Sequence, residues 1–232
     1  MIKSGGVRSV INLPVIGSVE EMAALVKQCG MLPFMGSTIS GYSVWERTDP
    51  GLWFVDGVDG PWEWKGPVIE MTGCAYGKLL GGKTAFVTRE WYGELANWRR
   101  GGDDFDILWD EGRASVNEKR IIDALSACPS MNARELKRAA GFEKSSAFDS
   151  AIAKLQAQCY VTIVDFDYDY DRFGQRRGWA VTRYATPENR FGAEFMESIY
   201  DREPQESLER MIAHLTGIVG NEYEKQIRRL IG

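Results

Sequence analysis

Three short amphipathic stretches, each with its own start signal, run into a two-strand ribbon across residues 115–184. This order predicts an α+β protein of the winged-helix type. A second run of helical periodicity after residue 190 adds a helical C-terminal tail.

The ribbon module is the most explicit part. Its first helix opens at Ser115, with Glu118 at capping-box spacing. Ile121, Ile122, Leu125 and Cys128 then recur every three or four residues, and Pro129 stops the run. The second helix opens at Asn132 with Glu135 as its return partner, carries Leu136 and Ala140 inward, and ends at Gly141. The third starts near Ser146, and Phe148, Ile152 and Leu155 form its buried stripe.

Tyr160 to Tyr170 alternates with period two. Thr162, Val164, Phe166, Tyr168 and Tyr170 are expected on one face, with Asp165, Asp167 and Asp169 on the other. Arg172 to Gly178 is the expected turn, and Trp179 to Tyr184 the return strand.

Charge limits what this module can do alone. Its cations and carboxylates nearly balance, whereas binding to duplex nucleic acid depends on neutralised phosphates. The cations that are segregated lie at the wing tip, on Arg172, Arg176 and Arg177, next to Gln175. The third helix offers only Lys144 just before it and Lys154 within it. Contact with duplex DNA is therefore expected through the wing tip.

Across the whole chain of 232 residues the net charge is −5, which argues against a general nucleic-acid coat. No apolar run reaches membrane-spanning length and no signal-peptide pattern opens the chain, so a cytoplasmic protein is expected. The four cysteines are scattered without a CxxC pair. The single histidine, His214, sits in a helical run without a second ligand at metal spacing. Neither a metal site nor a cofactor is expected, and a Ser-His-Asp triad is disfavoured.

The front of the chain is dominated by indole. Residues 1–17 are expected to form a loosely ordered lead, and Ser18 to Cys29 a helix stopped by Gly30. All but one of the eight tryptophans lie between Trp45 and Trp109. Ala85 to Val87 is an expected strand, and Thr88 an expected cap for a helix carrying Trp91, Leu95 and Trp98. Arg99 and Arg100 close that helix where cations suit its dipole.

Two readings fit this block. The rings either fill a core, with indole N–H groups meeting local acceptors, or line a groove that stacks a base while Arg89, Arg99 and Arg100 steer phosphate. Glu63, Glu70 and Glu90 are the nearby carboxylates, and Glu63 is the candidate acid–base group. After the ribbon, Thr186-Pro187-Glu188 starts a helix that Pro204 breaks. Ser207 to Leu215 and Glu222 to Leu230 form an amphipathic pair that packs back or makes a homodimer contact.

Several stretches together resemble a known group. Trp62-Glu63-Trp64-Lys65, Cys74-Ala75-Tyr76-Gly77-Lys78, Phe86-Val87-Thr88-Arg89-Glu90-Trp91 and Ala96-Asn97-Trp98-Arg99-Arg100 resemble the AlkZ-related proteins. Leu155 to Val161 and Arg183 to Glu188 fit the same group. The likeness covers roughly residues 18–190. It implies a shortened relative of the AlkZ/YcaQ enzymes, tandem winged-helix DNA glycosylases that excise alkylated bases.

The resemblance makes residues 18–112 a candidate degenerate winged helix, 113–190 the second, and 191–232 the tail. The enzymes carry a Gln-apolar-Gln or Gln-apolar-Asp motif early in the chain. In Gly30-Met31-Leu32-Pro33-Phe34-Met35, the two polar positions would fall on Pro33 and Met35, which cannot position a water. Gln156-Ala157-Gln158 has the letters at the end of the third helix, where they are expected as surface and cap. The expected function is therefore nucleic-acid binding in a DNA-repair setting, without the catalytic pair. The alternatives are a glycosylase using other residues and a protein-binding scaffold with an acidic strand face.

Overall fold

A computed structural model describes residues 11–55 and 57–232. Its sheet has six antiparallel strands: β1 (Met31–Pro33), β2 (Ala75–Leu80), β3 (Lys83–Val87), β4 (Met131–Asn132), β5 (Thr162–Tyr170) and β6 (Arg176–Ala185). Their spatial order is β1-β3-β2-β5-β6-β4. In each half a short strand pairs with the second strand of a hairpin, β1 with β3 and β4 with β6. The first hairpin strands, β2 and β5, meet at Tyr76 and Ile163 and fuse the halves into one sheet.

The helices follow a related plan, with one α-helix directly before the front hairpin and two directly before the second. In the front half, α1 (Val19–Cys29) precedes β1, and α2 (Pro61–Thr72) precedes the hairpin. After α3 (Arg89–Arg100) and α4 (Phe105–Asp110), α5 (Val116–Ser126) precedes β4. Then α6 (Ala133–Ala139) and α7 (Ser145–Ala157) lead into the second hairpin. The halves are cross-braced: α2 packs on β5, and α7 packs on β2.

Local chemistry explains most of these boundaries. Ser18 caps α1 by accepting the Glu21 N–H, and Ser115 caps α5 through the Glu118 N–H. Asn132 and Glu135 form the expected capping box of α6. Helix α2 was hidden in the sequence by Gly60-Pro61 and Gly66-Pro67, which suggest breaks. It forms because Pro61 occupies the first turn, where no N–H is required, and Trp64, Val68 and Ile69 are buried.

Three expectations are corrected. Residues 11–17 are not a loose lead, because Ile11, Leu13 and Ile16 are buried and the Arg47 guanidinium bonds the Ile11 and Leu13 carbonyls. Positions 1–10 of that lead lie outside the described residues. The β5 alternation is interrupted by register shifts between Ile163 and Asp165 and between Asp167 and Asp169. Gln156 is buried rather than on the surface, where it accepts the Lys78 N–H at 3.1 Å and donates to the Ile152 carbonyl. Gly77 is required beneath it, since a Cβ there would lie 2.7 Å from Gln156 Oε1.

The tail packs back on the front half. It comprises α8 (Pro187–Phe191), α9 (Ala193–Ser198), α10 (Pro204–Val219) and α11 (Glu224–Ile231), with α10 lying on α3. Asn97 donates to the Arg202 carbonyl and to Ser207 Oγ. Buried Glu94 takes ion pairs from Arg202 and Arg210. His214 stacks on Trp91 with ring centroids 3.9 Å apart, and its Nε2 lies 2.8 Å from the Cys29 carbonyl oxygen. Among the described residues no helix is long and apolar enough to cross a membrane.

Candidate nucleic-acid interface

The hairpin of β5 and β6 is closed by an Asp171 turn. The Asp171 carboxylate accepts the N–H groups of Phe173 and Gln175, and the Asp171 N–H donates to the Gln175 carbonyl. This chemistry makes the turn shorter than the sequence suggested, with β6 already running at Arg176. The turn presents Arg172 over the Phe173 ring at 4.6 Å, while Arg177 stands opposite Asp169.

Between this hairpin and the loop leading to α2 lies a cleft of about 720 Å³. Phe54, Val58, Asp59 and Glu63 line it from the loop side, and Tyr168, Gln175, Arg176 and Trp179 from the hairpin side. Phe54 and Trp179 are 54% and 70% exposed, a large apolar surface to leave open on two facing walls. Phe54 also holds a left-handed backbone, φ 56°, which costs a residue with a Cβ roughly 1–2 kcal/mol. Strain at an exposed aromatic on a cleft rim fits a functional position better than a packing one.

Charge in the cleft is partly spent within the molecule. Arg176 donates to Asp59 at 2.7 Å and lies over the Tyr168 ring, so the hairpin is tied to the loop. Glu63 accepts the Gly60 N–H at 3.0 Å and caps α2. That engagement explains its place in the sequence without acid–base work.

Behind the rim the aromatics continue inward. Trp62 touches Phe54 and meets Trp179 edge-on, with centroids 5.6 Å apart. The Lys65 Nζ lies 3.3 Å from the Trp62 ring centroid, 4.6 Å from Phe166 and 5.6 Å from Phe34. Lys65 is 5% exposed, and no carboxylate, hydroxyl or carbonyl among the described residues hydrogen bonds its amine. Burial lowers its pKa to about 8, with the nearby Glu63 charge opposing the shift.

The core reading of the block, in which indole N–H groups meet local acceptors, fits Trp98, which donates to the Gly232 carbonyl. The buried Trp53 Nε1, by contrast, has no acceptor among the described residues.

The structure brings Glu63, Gln175 and Arg176 together around the cleft, with Arg172 and Arg177 on the same hairpin. It places the other sequence candidates elsewhere. Lys144 is exposed at the start of α7, and Lys154 is paired with Glu118 at 2.9 Å. Arg99 faces the Ala157 and Ile231 carbonyls. Arg100 is buried on the Cys159 carbonyl and the Tyr200 hydroxyl. Arg89 stacks on Phe195. The row of basic groups imagined along α3 thus faces the molecule's own tail.

Pro33 and Met35 sit at the β1 edge, with Pro33 buried opposite Ala85 and Met35 40% exposed. Phe54, Asp59 and Lys65 went unmarked as site residues in the sequence. The available signal was Trp179, the one tryptophan set apart from the front block. Among the described residues no group of His, Cys, Asp and Glu is placed to hold a metal ion.

Fold and cleft together define a class: an α+β protein with a two-part antiparallel sheet and an aromatic, cation-edged groove beside a hairpin. A family model described as AlkZ related matches residues 16–232, and the chain belongs to that family. No curated protein and no solved structure matches it.

Proposed function

We propose that this is a tandem winged-helix protein that binds DNA at the cleft beside its second wing, and that it lacks the glycosylases' catalytic pair. Each half supports the winged-helix reading, because a helix, a short strand and a hairpin follow in that order, and the short strand lies on the hairpin's second strand. One α-helix directly precedes the front hairpin and two precede the second. The observation that carries the functional reading is the pair of exposed rings, Trp179 and Phe54, on the two walls of one cleft. A base turned out of a duplex stacks on such rings, and Arg172 and Arg177 reach the flanking phosphates.

The scaffold alternative is weakened by the strand carboxylates themselves. Asp167 is paired with Arg183 and Asp169 with Arg134, so the acidic face is largely neutralised within the chain.

Fluorescence anisotropy with oligonucleotides that carry an unpaired base tests the reading. Trp179→Ala should weaken binding by about 5- to 150-fold, given the roughly 1–3 kcal/mol that one stacked base contributes. The exposed position should leave the melting temperature unchanged. Full affinity in this variant would remove the cleft from consideration.

A second variant probes charge. Asp59→Asn releases Arg176, so binding should strengthen and its log–log salt dependence should steepen by about 0.9 for one added phosphate contact. An unchanged slope would mean that Arg176 never reaches the backbone.

A further inference from the structure

We propose that Lys65 is a reactive amine that forms an imine with the ring-opened deoxyribose aldehyde of an abasic site held in the cleft. The inference rests on the DNA-binding reading above and adds a substrate class to it. Lys65 is 5% exposed, and an ammonium at the end of so buried a stem is normally held by an oxygen partner, because losing water is costly. Among the described residues the Lys65 amine meets the faces of Trp62, Phe166 and Phe34 in place of an oxygen, and it is not one of the fully enclosed polar atoms.

That surrounding has two chemical effects. It keeps a useful fraction of the amine unprotonated near neutral pH, as the lowered pKa indicates, which is the form that attacks a carbonyl. It also suits a cation once formed, because ring faces attract an iminium as they attract an ammonium. The groove and the amine are neighbours: Trp62 touches Phe54 and Trp179 on the cleft and carries Lys65 on its ring.

The balance is simple. The nitrogen lone pair of Lys65 adds to the aldehyde carbon, and the carbonyl oxygen takes up a proton to give a carbinolamine. The hydroxyl then takes a second proton, from water, and leaves as water while the nitrogen lone pair forms the C=N bond. The nitrogen keeps one proton, and the net step consumes one proton. No electron is gained or lost. The aldehyde itself must come from a separate hydrolysis of an N-glycosidic bond.

The test uses the full chain with an oligonucleotide bearing one abasic site and sodium cyanoborohydride, whose hydride reduces the imine to a stable secondary amine. A covalent protein–DNA band is expected, with peptide mass mapping to Lys65. Lys65→Arg, which keeps a cation on the same rings, should lower the yield at least tenfold, while Lys78→Arg, at the exposed position of the otherwise buried strand β2, should not.

A melting curve of Lys65→Arg checks its fold, and the wild-type mapping decides the matter should that variant not fold. An adduct that maps to another amine overturns the proposal, as does an undiminished yield in a folded Lys65→Arg. Absence of a band while anisotropy still reports binding overturns the imine and leaves the DNA-binding reading intact. Absence of both overturns both.

Discussion

Replacing Gly30 with alanine should destabilise the protein by about 3 kcal/mol, read as a drop in the urea midpoint with an unchanged slope. Two costs combine. Gly30 ends α1 with φ 67°, a conformation that costs an L-residue roughly 1–2 kcal/mol. A Cβ there would also lie 2.2 Å from Trp91 Cδ1 and 3.0 Å from His214 Nε2, an overpacking worth roughly 1–3 kcal/mol.

Neither ring can yield easily, because they stack on each other and His214 is held at the Cys29 carbonyl. Gly102→Ala is the control. Gly102 also has a positive φ, 89°, but nothing lies within 4 Å of its added Cβ, so only the backbone part should appear. Equal losses at the two positions would refute the steric argument.

Arg100→Met should cost a similar amount, about 3 kcal/mol, from buried polar groups left without a donor. The guanidinium donates to the Cys159 carbonyl at 2.7 Å and to the Tyr200 hydroxyl at 3.0 Å, pairs with Glu188, and stacks over Tyr160. Cys159 has a left-handed backbone, φ 62°, and Tyr92 and Arg100 together hold its carbonyl. Loss of Arg100 therefore loosens the end of α7 and its connection to β5.

Arg100→Lys should recover only part of the stability, because a single ammonium cannot span the fork's contacts. DNA affinity of these variants should follow the folded fraction alone. A binding defect in fully folded Arg100→Lys would restore Arg100 as a phosphate contact and refute its interior role.

The second half was legible because its signals are local. Ser115, Asn132 and Glu135 mark helix starts through hydrogen bonds spanning two or three residues, and the observed caps match. The front half was less legible because its order depends on distant contacts. Strand β1 has three residues and exists through pairing with β3, more than fifty positions away. Helix α2 contains a proline that propensity counts against it.

The candidate site divides in the same way. Arg172, Arg177 and Gln175 were readable as wing-tip groups from the turn. The inward direction of Arg99 and Arg100 was not, because it depends on where α10, α11 and the end of α7 come to rest. The Asp59–Arg176 tie joins residues 117 positions apart and leaves no trace in spacing.

The junction of β2 with β5 has a consequence for how this chain can vary. With α2 seated on β5 and α7 on β2, neither half owns a complete hydrophobic interior. Severing the chain near residue 113 would uncover Tyr76, Ile163 and Phe166 on opposite fragments, inviting aggregation along the bared strands. The halves can be neither shortened nor exchanged one at a time. A change on either side of that seam needs its counterpart on the other, so the two repeats must diverge in step.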